Sequence, residues 1–227
     1  RSPSRGLGDV YKRQEKEFVA LCSPVMKKRV DLPEKKYEGY IFDLDGTLVD
    51  SMPLHYRAWR EALARAGAPD HVFRADEFYS CGGKSANDVV RFLNERYGMH
   101  MDAASTAADK RRIYLEMLEK EGMQPIREVV EFVHSLGDAP KAIATGSAMP
   151  GASRTLAAAG LSGLFDVILT PDEVEHGKPA PDMFLKAAEL LGVSPDRCVV
   201  FEDAEPGMKA AAAAGMDCVQ VRRPSLA

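Results

Sequence analysis

Residues 40–47 read Tyr40-Ile-Phe-Asp43-Leu-Asp45-Gly46-Thr47, and this stretch decides the fold. Its first three residues form an apolar run that is typical of a short buried strand, and Gly46 and Thr47 follow as a turn. The carboxylates of Asp43 and Asp45 therefore stand at the carboxyl end of the strand. In open parallel sheets, ligands bind in the crevice beyond those strand ends. We expect both carboxylates to face a functional site.

Two later stretches repeat this pattern of an apolar strand with a polar end. Residues 141–147 end in Thr-Gly-Ser, and residues 198–203 end in Glu-Asp. Further strands are predicted at 165–170 and 217–221, and helices followed by glycine at 128–136, 182–191 and 206–214. Strands that alternate with helices of this length predict an α/β fold with a doubly wound parallel sheet.

The segment 53–122 interrupts the alternation of strands and helices. It contains amphipathic helical patterns at 55–66, 85–97 and 103–121, and no convincing strand pattern. We interpret it as a helical cap domain, inserted after the first strand and placed over the crevice. The α/β core is then discontinuous and consists of residues 37–52 and 123–222.

Asp43 and Asp45 flank Leu44, so their side chains point to the same side of an extended strand. One carboxylate can then attack phosphorus while the other donates a proton to the leaving oxygen, provided that a cation offsets their repulsion. Taken alone, an Asp-x-Asp pair equally fits a turn or a helix cap.

Polar groups at the other predicted strand ends favour phosphoryl transfer. Glu202 and Asp203 offer carboxylate oxygens, which Mg²⁺ prefers as ligands. Thr145, Gly146 and Ser147 offer hydroxyl and backbone donors for phosphoryl oxygens. Lys178 offers a positive charge. Each feature also has a structural explanation, namely a helix N-cap, a turn and a solvated surface lysine. Their joint occurrence in this order favours a catalytic site.

The motifs Asp43-Leu-Asp-Gly-Thr-Leu-Val-Asp, Thr145, Lys178-Pro and Glu202-Asp resemble, in order, the four motifs of the haloacid dehalogenase-like (HAD) superfamily. The resemblance extends over nearly all of residues 40–221. Residues 49–60, 177–182 and 201–207 are most similar to the branch that contains β-phosphoglucomutase and the bacterial sugar phosphatases, including fructose-1-phosphatase.

This resemblance implies a Mg²⁺-dependent phosphatase that hydrolyses a small phosphate ester, such as a sugar phosphate, through an aspartyl-phosphate. Asp43 would be the nucleophile, and Asp45 the general acid and then the general base. Thr145, Gly146 and Lys178 would bind the phosphoryl group. The implied metal ligands are Asp43, the backbone carbonyl of Asp45, Asp203 and, directly or through water, Glu202.

The resemblance also assigns residues to the hinge and the cap. His55 would lie near the hinge, with a supporting role and no proton transfer, while Gly83, Lys84 and Ser85 would form a cap loop that meets the substrate. Asp182, which follows Pro181, is expected to cap the next helix rather than to bind metal.

Three other functions are alternatives to a phosphatase. In β-phosphoglucomutase an Arg follows the Gly-x-Ser of the cap loop, whereas Ala86 follows it here, which favours hydrolysis over a mutase. A haloacid dehalogenase does not need the acid at Asp45. A phospho-receiver signalling domain combines similar residues but has no inserted helical domain.

The bulk composition narrows the possible partners. The chain has 227 residues and a formal net charge of −4, with Lys and Arg scattered along it, so neither nucleic acid nor a membrane surface is an expected partner. Its four cysteines have no zinc-site spacing, and no apolar run is long enough to span a bilayer. We expect a cytoplasmic monomer that binds a small-molecule phosphate ester.

The beginning of the chain is interpreted separately. The run Asp9-Val-Tyr-Lys-Arg-Gln14 resembles the translation of an adapter used in preparing sequencing libraries. We therefore expect residues 1–25 to be an artefact, with Met26 as the candidate natural start. A natural disordered basic tail is the alternative.

Overall fold

A five-stranded parallel sheet forms the centre of the protein, as described by a computed structural model over residues 29–82 and 84–222. Its strands are β1 (Gly39–Phe42), β2 (Lys141–Ala144), β3 (Val167–Leu169), β4 (Cys198–Glu202) and β5 (Asp217–Gln220). Their spatial order is β3-β2-β1-β4-β5, and every pair is parallel. The winding direction reverses at β1, which opens a crevice at the carboxyl end of this strand. The predicted doubly wound fold is confirmed.

The helices of the described residues fall into two groups, one between β1 and β2 and one in the core. The first group is α1 (Met52–Arg65), α2 (Ala75–Ser80), α3 (Ala86–Tyr97) and α4 (Ala103–Glu121). The second group is α5 (Arg127–Ser135), α6 (Met149–Ala158), α7 (Asp182–Leu191) and α8 (Glu205–Ala213). The inserted helical cap of the predicted fold is therefore present as α1–α4, while the exact domain boundaries 53–122 remain a prediction.

Helices cover both faces of the sheet, which explains why β1 is apolar throughout. Successive side chains of a strand point to opposite faces. Tyr40 and Phe42 pack against α5 and α6, whereas Ile41 packs against α7 and α8. Phe42 also stacks on Phe201 of β4, with ring centroids 4.6 Å apart. A strand buried on both faces has no solvent side on which to place a polar residue, so its first carboxylate comes where it ends.

The cap has an apolar core of its own and is also packed against the α/β core. Trp59, Phe73 and Phe78 belong to the separate apolar cluster of the cap. At its base, Leu54 of α1 and Tyr114 of α4 belong to the cluster that continues beneath the sheet. The cap is thus connected to the core by packing as well as by covalent linkers.

The two linkers between cap and core are hydrogen-bonded to each other. The backbone N–H of Asp50 donates to the carbonyl of Gln124 (2.9 Å), and that of Ile126 donates to the carbonyl of Leu48 (2.8 Å). Val49 and Pro125 form an isolated antiparallel bridge between these bonds. This paired arrangement joins cap and core immediately beside the carboxyl end of β1.

Some predicted elements differ from the structure. Helix α1 begins at Met52 rather than at residue 55, because Pro53 is accepted in a first helical turn. Helix α6 was not predicted. It begins with Met149-Pro-Gly, and its proline also falls in the first turn. Strand β3 is shorter than the predicted 165–170.

Two sequence predictions lie outside the described residues, namely the artefact at 1–25 and the cap-loop position Gly83. Within residues 29–82 and 84–222, none of the helices combines the length and apolar character that spanning a bilayer would require.

Candidate active site

A cavity of about 540 Å³ lies between the carboxyl ends of the strands and the underside of the cap. Asp43, Glu202 and Lys178 line it from the core, and Trp59 and Lys84 line it from the cap. The core side is therefore rich in charge, while much of the cap side is aromatic or apolar. Such a cavity can hold a small ligand with one anionic end.

Lys178 and Asp43 form a buried ion pair at the floor of the cavity. The Nζ of Lys178 donates to Oδ1 of Asp43 (2.7 Å) and to Oε1 of Glu202 (3.1 Å). Burial alone lowers the pKa of Lys178, but the charges of Asp43 and Glu202 outweigh it and hold the pKa above its ordinary value. Removing one partner of such a buried pair costs about 3–5 kcal/mol.

Three buried carboxylates converge beside this lysine. Asp43, Glu202 and Asp203 each place a carboxylate oxygen within 4.8 Å of the others. Burial raises the pKa of Asp43 well above its usual range, and repulsion by Glu202, Asp203 and Asp45 adds to this, although Lys178 opposes it. One ammonium does not balance three carboxylates, so the cluster fits a hard divalent cation such as Mg²⁺, which prefers oxygen ligands.

Two glycines allow the carboxylates to come this close. A Cβ on Gly207 would lie 1.7 Å from Oε1 of Glu202, and one on Gly46 would lie 2.5 Å from Oδ2 of Asp203. Gly46 also has a φ of +92°, which side-chain-bearing residues rarely adopt. The turn after β1 and the first turn of α8 therefore both require glycine.

Glu202 is held by its own backbone as well as by Lys178. Its Oε2 accepts hydrogen bonds from the backbone N–H groups of Asp203 (2.5 Å) and Ala204 (3.1 Å). These contacts leave Oε1 directed toward Lys178. The side chain is 2% exposed and fixed in orientation before any ligand binds.

Asp45 is held by three hydrogen-bond donors. Its Oδ1 accepts from Ser51 Oγ (2.6 Å) and His55 Nε2 (3.2 Å), and its Oδ2 accepts from Ser147 Oγ (2.6 Å). Burial by itself raises the pKa of Asp45, but His55 and the hydroxyl hydrogen bonds outweigh it and place the pKa below the ordinary range. The carboxylate is therefore ionised in this arrangement.

His55 connects Asp45 to the cap. Lys110 of α4 places its Nζ 2.8 Å from His55 Nδ1. An ammonium only donates, so Nδ1 accepts, and the proton of the neutral ring lies on Nε2, where it is donated to Asp45. Burial, and then the charge of Lys110, lower the pKa of His55, while burial lowers that of Lys110 to about 8. Near neutral pH the ring is neutral and the lysine is charged.

The loop after β2 lines the cavity with two of its first three residues. Gly146 and Ser147 line the cavity, whereas Thr145 is fully buried just below it. The hydroxyl of Thr145 accepts a hydrogen bond from the backbone N–H of Ser147 (3.0 Å) and so shapes the loop. The role of Thr145 in binding a phosphoryl oxygen stays a prediction.

This constellation of strand-end residues matches one family. The sequence profile of the haloacid dehalogenase-like hydrolases matches residues 37–215. The chain belongs to this family. The resemblance seen in the motifs is therefore confirmed, and together with the phosphatases among its relatives it identifies the protein as an enzyme, a HAD-type phosphatase.

Individual relatives of this HAD hydrolase include both phosphatases and mutases. It is 39% identical to fructose-1-phosphate phosphatase YqaB of Escherichia coli over 189 residues, which cover 83% of this chain and 98% of the relative. It is 35% identical to β-phosphoglucomutase of Mycobacterium bovis, over 82% and 81% of the two chains. The crystal structure of CbbY from Rhodobacter sphaeroides in complex with phosphate is similar, with 27% identity, a TM-score of 0.69 and coverage of 80% and 84%.

The cap loop of this HAD hydrolase is partly described. Lys84 and Ser85 line the cavity, and Gly83 lies outside the described residues. Ser85 caps α3 by accepting from the backbone N–H of Asp88 (3.2 Å). The Nζ of Lys84 lies 5.7 Å from the ring centroid of Phe92. Ala86 also lines the cavity and presents a methyl group.

Sequence reasoning missed two contacts of Asp45, those with Ser51 and Ser147, and one contact of His55, that with Lys110. Ser51 follows the first motif closely, and Ser147 was read as a donor for phosphoryl oxygens, whereas its hydroxyl binds Asp45 here. Lys110 is 55 residues from His55 along the chain, and no local pattern marks it. Only the packing of α4 against α1 brings it to the site.

Proposed function

We propose that this HAD phosphatase hydrolyses a small sugar phosphate by transferring the phosphoryl group to Asp43. The observation that carries the proposal is the buried Lys178–Asp43 pair, which stands beside two further carboxylates at the floor of a cavity open to a small ligand. The similarity to fructose-1-phosphate phosphatase over 98% of that protein supports a phosphorylated sugar, and makes fructose 1-phosphate the first substrate to test.

In the proposed first step, a carboxylate oxygen of Asp43 attacks phosphorus and the bond from phosphorus to the sugar oxygen breaks. Asp45 gives a proton to that departing oxygen, which would otherwise leave as a basic alkoxide. In the second step, Asp45 takes a proton from water, and the water oxygen attacks phosphorus. Inorganic phosphate then leaves and Asp43 is restored.

Asp45 needs a proton before it can act as an acid, although it is ionised in the structure described here. A phosphate dianion that enters beside it raises its pKa by repulsion, which favours proton uptake when substrate binds. The donors Ser51, His55 and Ser147 keep the carboxyl in place in both states. We propose for His55 a supporting role, because its Nε2 contacts Asp45, and we assign it no proton transfer.

Mg²⁺ would be held by Asp43, Glu202 and Asp203, with the backbone carbonyl of Asp45 as a further proposed ligand. When bound, the ion neutralises negative charge on the transferring phosphoryl group. Lys178 would contact the same phosphoryl oxygens as a fixed charge, together with the backbone of Gly146 and the hydroxyl of Thr145. Closure of the cap would exclude water during the transfer.

The β-phosphoglucomutase relative makes a mutase the second candidate. A mutase must hold a second phosphate, for which a bidentate Arg is the natural partner. Ala86 cannot provide this contact, and Lys84 offers only a point charge. Hydrolysis is therefore the function that we propose.

The test is phosphate release from a panel of sugar phosphates with and without Mg²⁺, alongside conversion of β-glucose 1-phosphate to glucose 6-phosphate with the bisphosphate present as primer. We expect metal-dependent phosphate release, with fructose 1-phosphate among the substrates. Isomer conversion without net phosphate release would show that the protein is a mutase.

A further inference from the structure

Lys178 carries a buried charge, although other parts of its loop are exposed to solvent. It joins the 3₁₀ turn after β3 (Pro171–Glu173) to α7. The side chain of Lys178 is 8% exposed, whereas that of His176 in the same loop is 64% exposed. Contacts of the exposed part of the loop can therefore influence the conformation that delivers Lys178.

The set of anionic partners around Lys178 changes during the proposed reaction. Oδ1 of Asp43 accepts its shorter hydrogen bond, and this carboxylate loses its own charge when it is esterified, while Glu202 stays charged and the phosphoryl group brings new negative oxygens. The attraction that places Lys178 thus changes at the step where its position matters. A tether whose charge is not altered by the reaction would keep the ammonium in register with the phosphoryl oxygens.

Asp182 provides such a tether. Its Oδ2 accepts hydrogen bonds from the backbone N–H (3.2 Å) and from Nδ1 (3.1 Å) of His176, and so closes the loop around Lys178. Inside this loop, the N–H of Ala180 donates to the carbonyl of Gly177 (3.0 Å). The expectation that Asp182 caps its own helix is wrong, because the N-cap of α7 is Pro181 and no side-chain capping bond is present.

Helix α7 is a firm base for this tether. Met183 and Phe184, the two residues after Asp182, are 1% and 0% exposed and pack against the sheet. The ring centroid of Phe184 lies 5.0 Å from the Nζ of Lys178, so the same helix turn contacts the lysine directly. Asp182 joins this fixed turn to the residue two positions before Lys178.

We propose that Asp182 is a positioning residue for Lys178, acting through its hydrogen bonds to His176. Two measurements test this inference, and only the measurement of turnover rests on the proposed function. A purely structural role is the alternative, but the pair is partly exposed, with side chains 64% and 32% accessible, and exposed pairs of this kind contribute little to stability.

The experiment compares Asp182→Ala, Asp182→Asn and wild type, with Glu189→Ala as the matched control. Glu189 is an exposed carboxylate on the same helix that pairs with Lys186, away from the cavity. Turnover of the best sugar phosphate is measured under saturating Mg²⁺. Independently of activity, the rate at which trace acetic anhydride acetylates Lys178 is measured by peptide mass spectrometry, relative to Lys141 in β2.

We expect Asp182→Ala to lower kcat by about 10- to 100-fold, since a displacement of about 1 Å costs about this much. Acetylation of Lys178 should be at least about 3-fold faster, because the loop opens more often. Asp182→Asn retains an acceptor oxygen for both donors of His176, and should bring both readouts to within about 3-fold of wild type. Glu189→Ala should match wild type.

The proposal is overturned if Asp182→Ala leaves Lys178 acetylation unchanged, whatever happens to turnover, or if Asp182→Asn does not restore it. The wild type could release no phosphate while the acetylation of Lys178 still rises in Asp182→Ala and returns to the wild-type rate in Asp182→Asn. That result would refute the proposed function and support the positioning role. The two failures are therefore distinguishable.

Discussion

At the scale of single residues, Asp45 is the group whose proposed role can be separated from simple binding. It is ionised and held by Ser51, His55 and Ser147, so its position does not depend on substrate. A variant that cannot transfer this proton should therefore lose most turnover on the substrates whose leaving groups are most basic.

We predict that Asp45→Asn lowers kcat on fructose 1-phosphate by about 10²- to 10⁴-fold, the usual contribution of general acid–base catalysis. Nitrophenolate needs no proton to leave, so the first-turnover burst of nitrophenol from nitrophenyl phosphate should be largely retained, while the later steady state slows. Stopped-flow absorbance measures both phases. Asp138→Asn, in the exposed turn before β2, is the control. A burst slowed as much as sugar-phosphate turnover would contradict the assignment.

Lys110 permits a prediction about the pKa of His55 that needs no measurement of activity. Burial is the largest cause of the lowered pKa of His55, and the charge of Lys110 is the next. Lys110→Met removes that like charge, so the pKa of His55 should rise toward its ordinary value, as measured by NMR titration of the imidazole. Lys84→Met removes another cap lysine of the cavity, one whose Nζ lies over the ring of Phe92, and should leave the titration unchanged. An unchanged or lower pKa in Lys110→Met would refute this account of the pair.

At the scale of elements, the contact between α4 and α6 joins the cap to the core. The hydroxyls of Tyr114 and Thr155 are hydrogen-bonded at 2.9 Å, and these residues are 4% and 2% exposed. The Tyr114 ring also stacks on His55, with ring centroids 4.0 Å apart. The base of the cap is thus fastened to the core beside the group that holds Asp45.

We predict that Thr155→Val lowers the free energy of unfolding by about 1–3 kcal/mol, because it leaves the buried Tyr114 hydroxyl without its partner. The double variant Tyr114→Phe/Thr155→Val removes both polar atoms and should recover part of the loss. Urea unfolding measures both, with Ser153→Ala on the exposed side of α6 as control. A loss in Thr155→Val no larger than in Ser153→Ala would show that the bond is unimportant.

The sequence could predict a site residue only where the residues next to it in the chain mark its position. Asp43, Glu202 and Asp203 were placed together because each follows a buried apolar strand, and parallel strands bring their carboxyl ends to one edge. Lys110 and Tyr114 could not be found in this way. They lie in the middle of a cap helix, and their contacts with His55 depend on how α4 packs against α1.

The same distinction explains the errors in the elements. Helix α6 begins with Met-Pro-Gly, a sequence typical of a loop, and only its packing beneath the sheet through Ala152 and Leu156 stabilises it as a helix. Asp182 was expected to cap α7, a local interaction, yet its carboxylate accepts from the preceding loop. In both cases a contact beyond the local sequence decided the outcome.

At the scale of the whole molecule, the concentration of buried negative charge couples metal binding to stability. Asp43, Glu202 and Asp203 are all buried, and burial together with the repulsion among them raises the pKa of Asp43. A cation that binds the folded state alone stabilises it by about 2.7 kcal/mol at 100 times its Kd. The fold should therefore respond to Mg²⁺ even in the absence of substrate.

We predict that Mg²⁺ raises the Tm of the wild type in differential scanning fluorimetry, and that Asp203→Asn removes most of this shift. Glu131→Gln, at an exposed pair on α5, should keep it. Since the pKa of Asp43 is raised in the folded state, protons compete with the metal there, and the shift should weaken as the pH falls. A shift that survives in Asp203→Asn, or grows at lower pH, would contradict the assigned ligands.

The most direct test of the central claim is phosphate release from fructose 1-phosphate by wild type and Asp43→Asn, each with Mg²⁺ and with EDTA. We predict that the wild type releases phosphate with Mg²⁺ and not with EDTA. Asp43→Asn should release no measurable phosphate in either condition, although its circular dichroism matches that of the wild type. Substantial metal-dependent turnover by folded Asp43→Asn would show that the phosphoryl group is not transferred to Asp43.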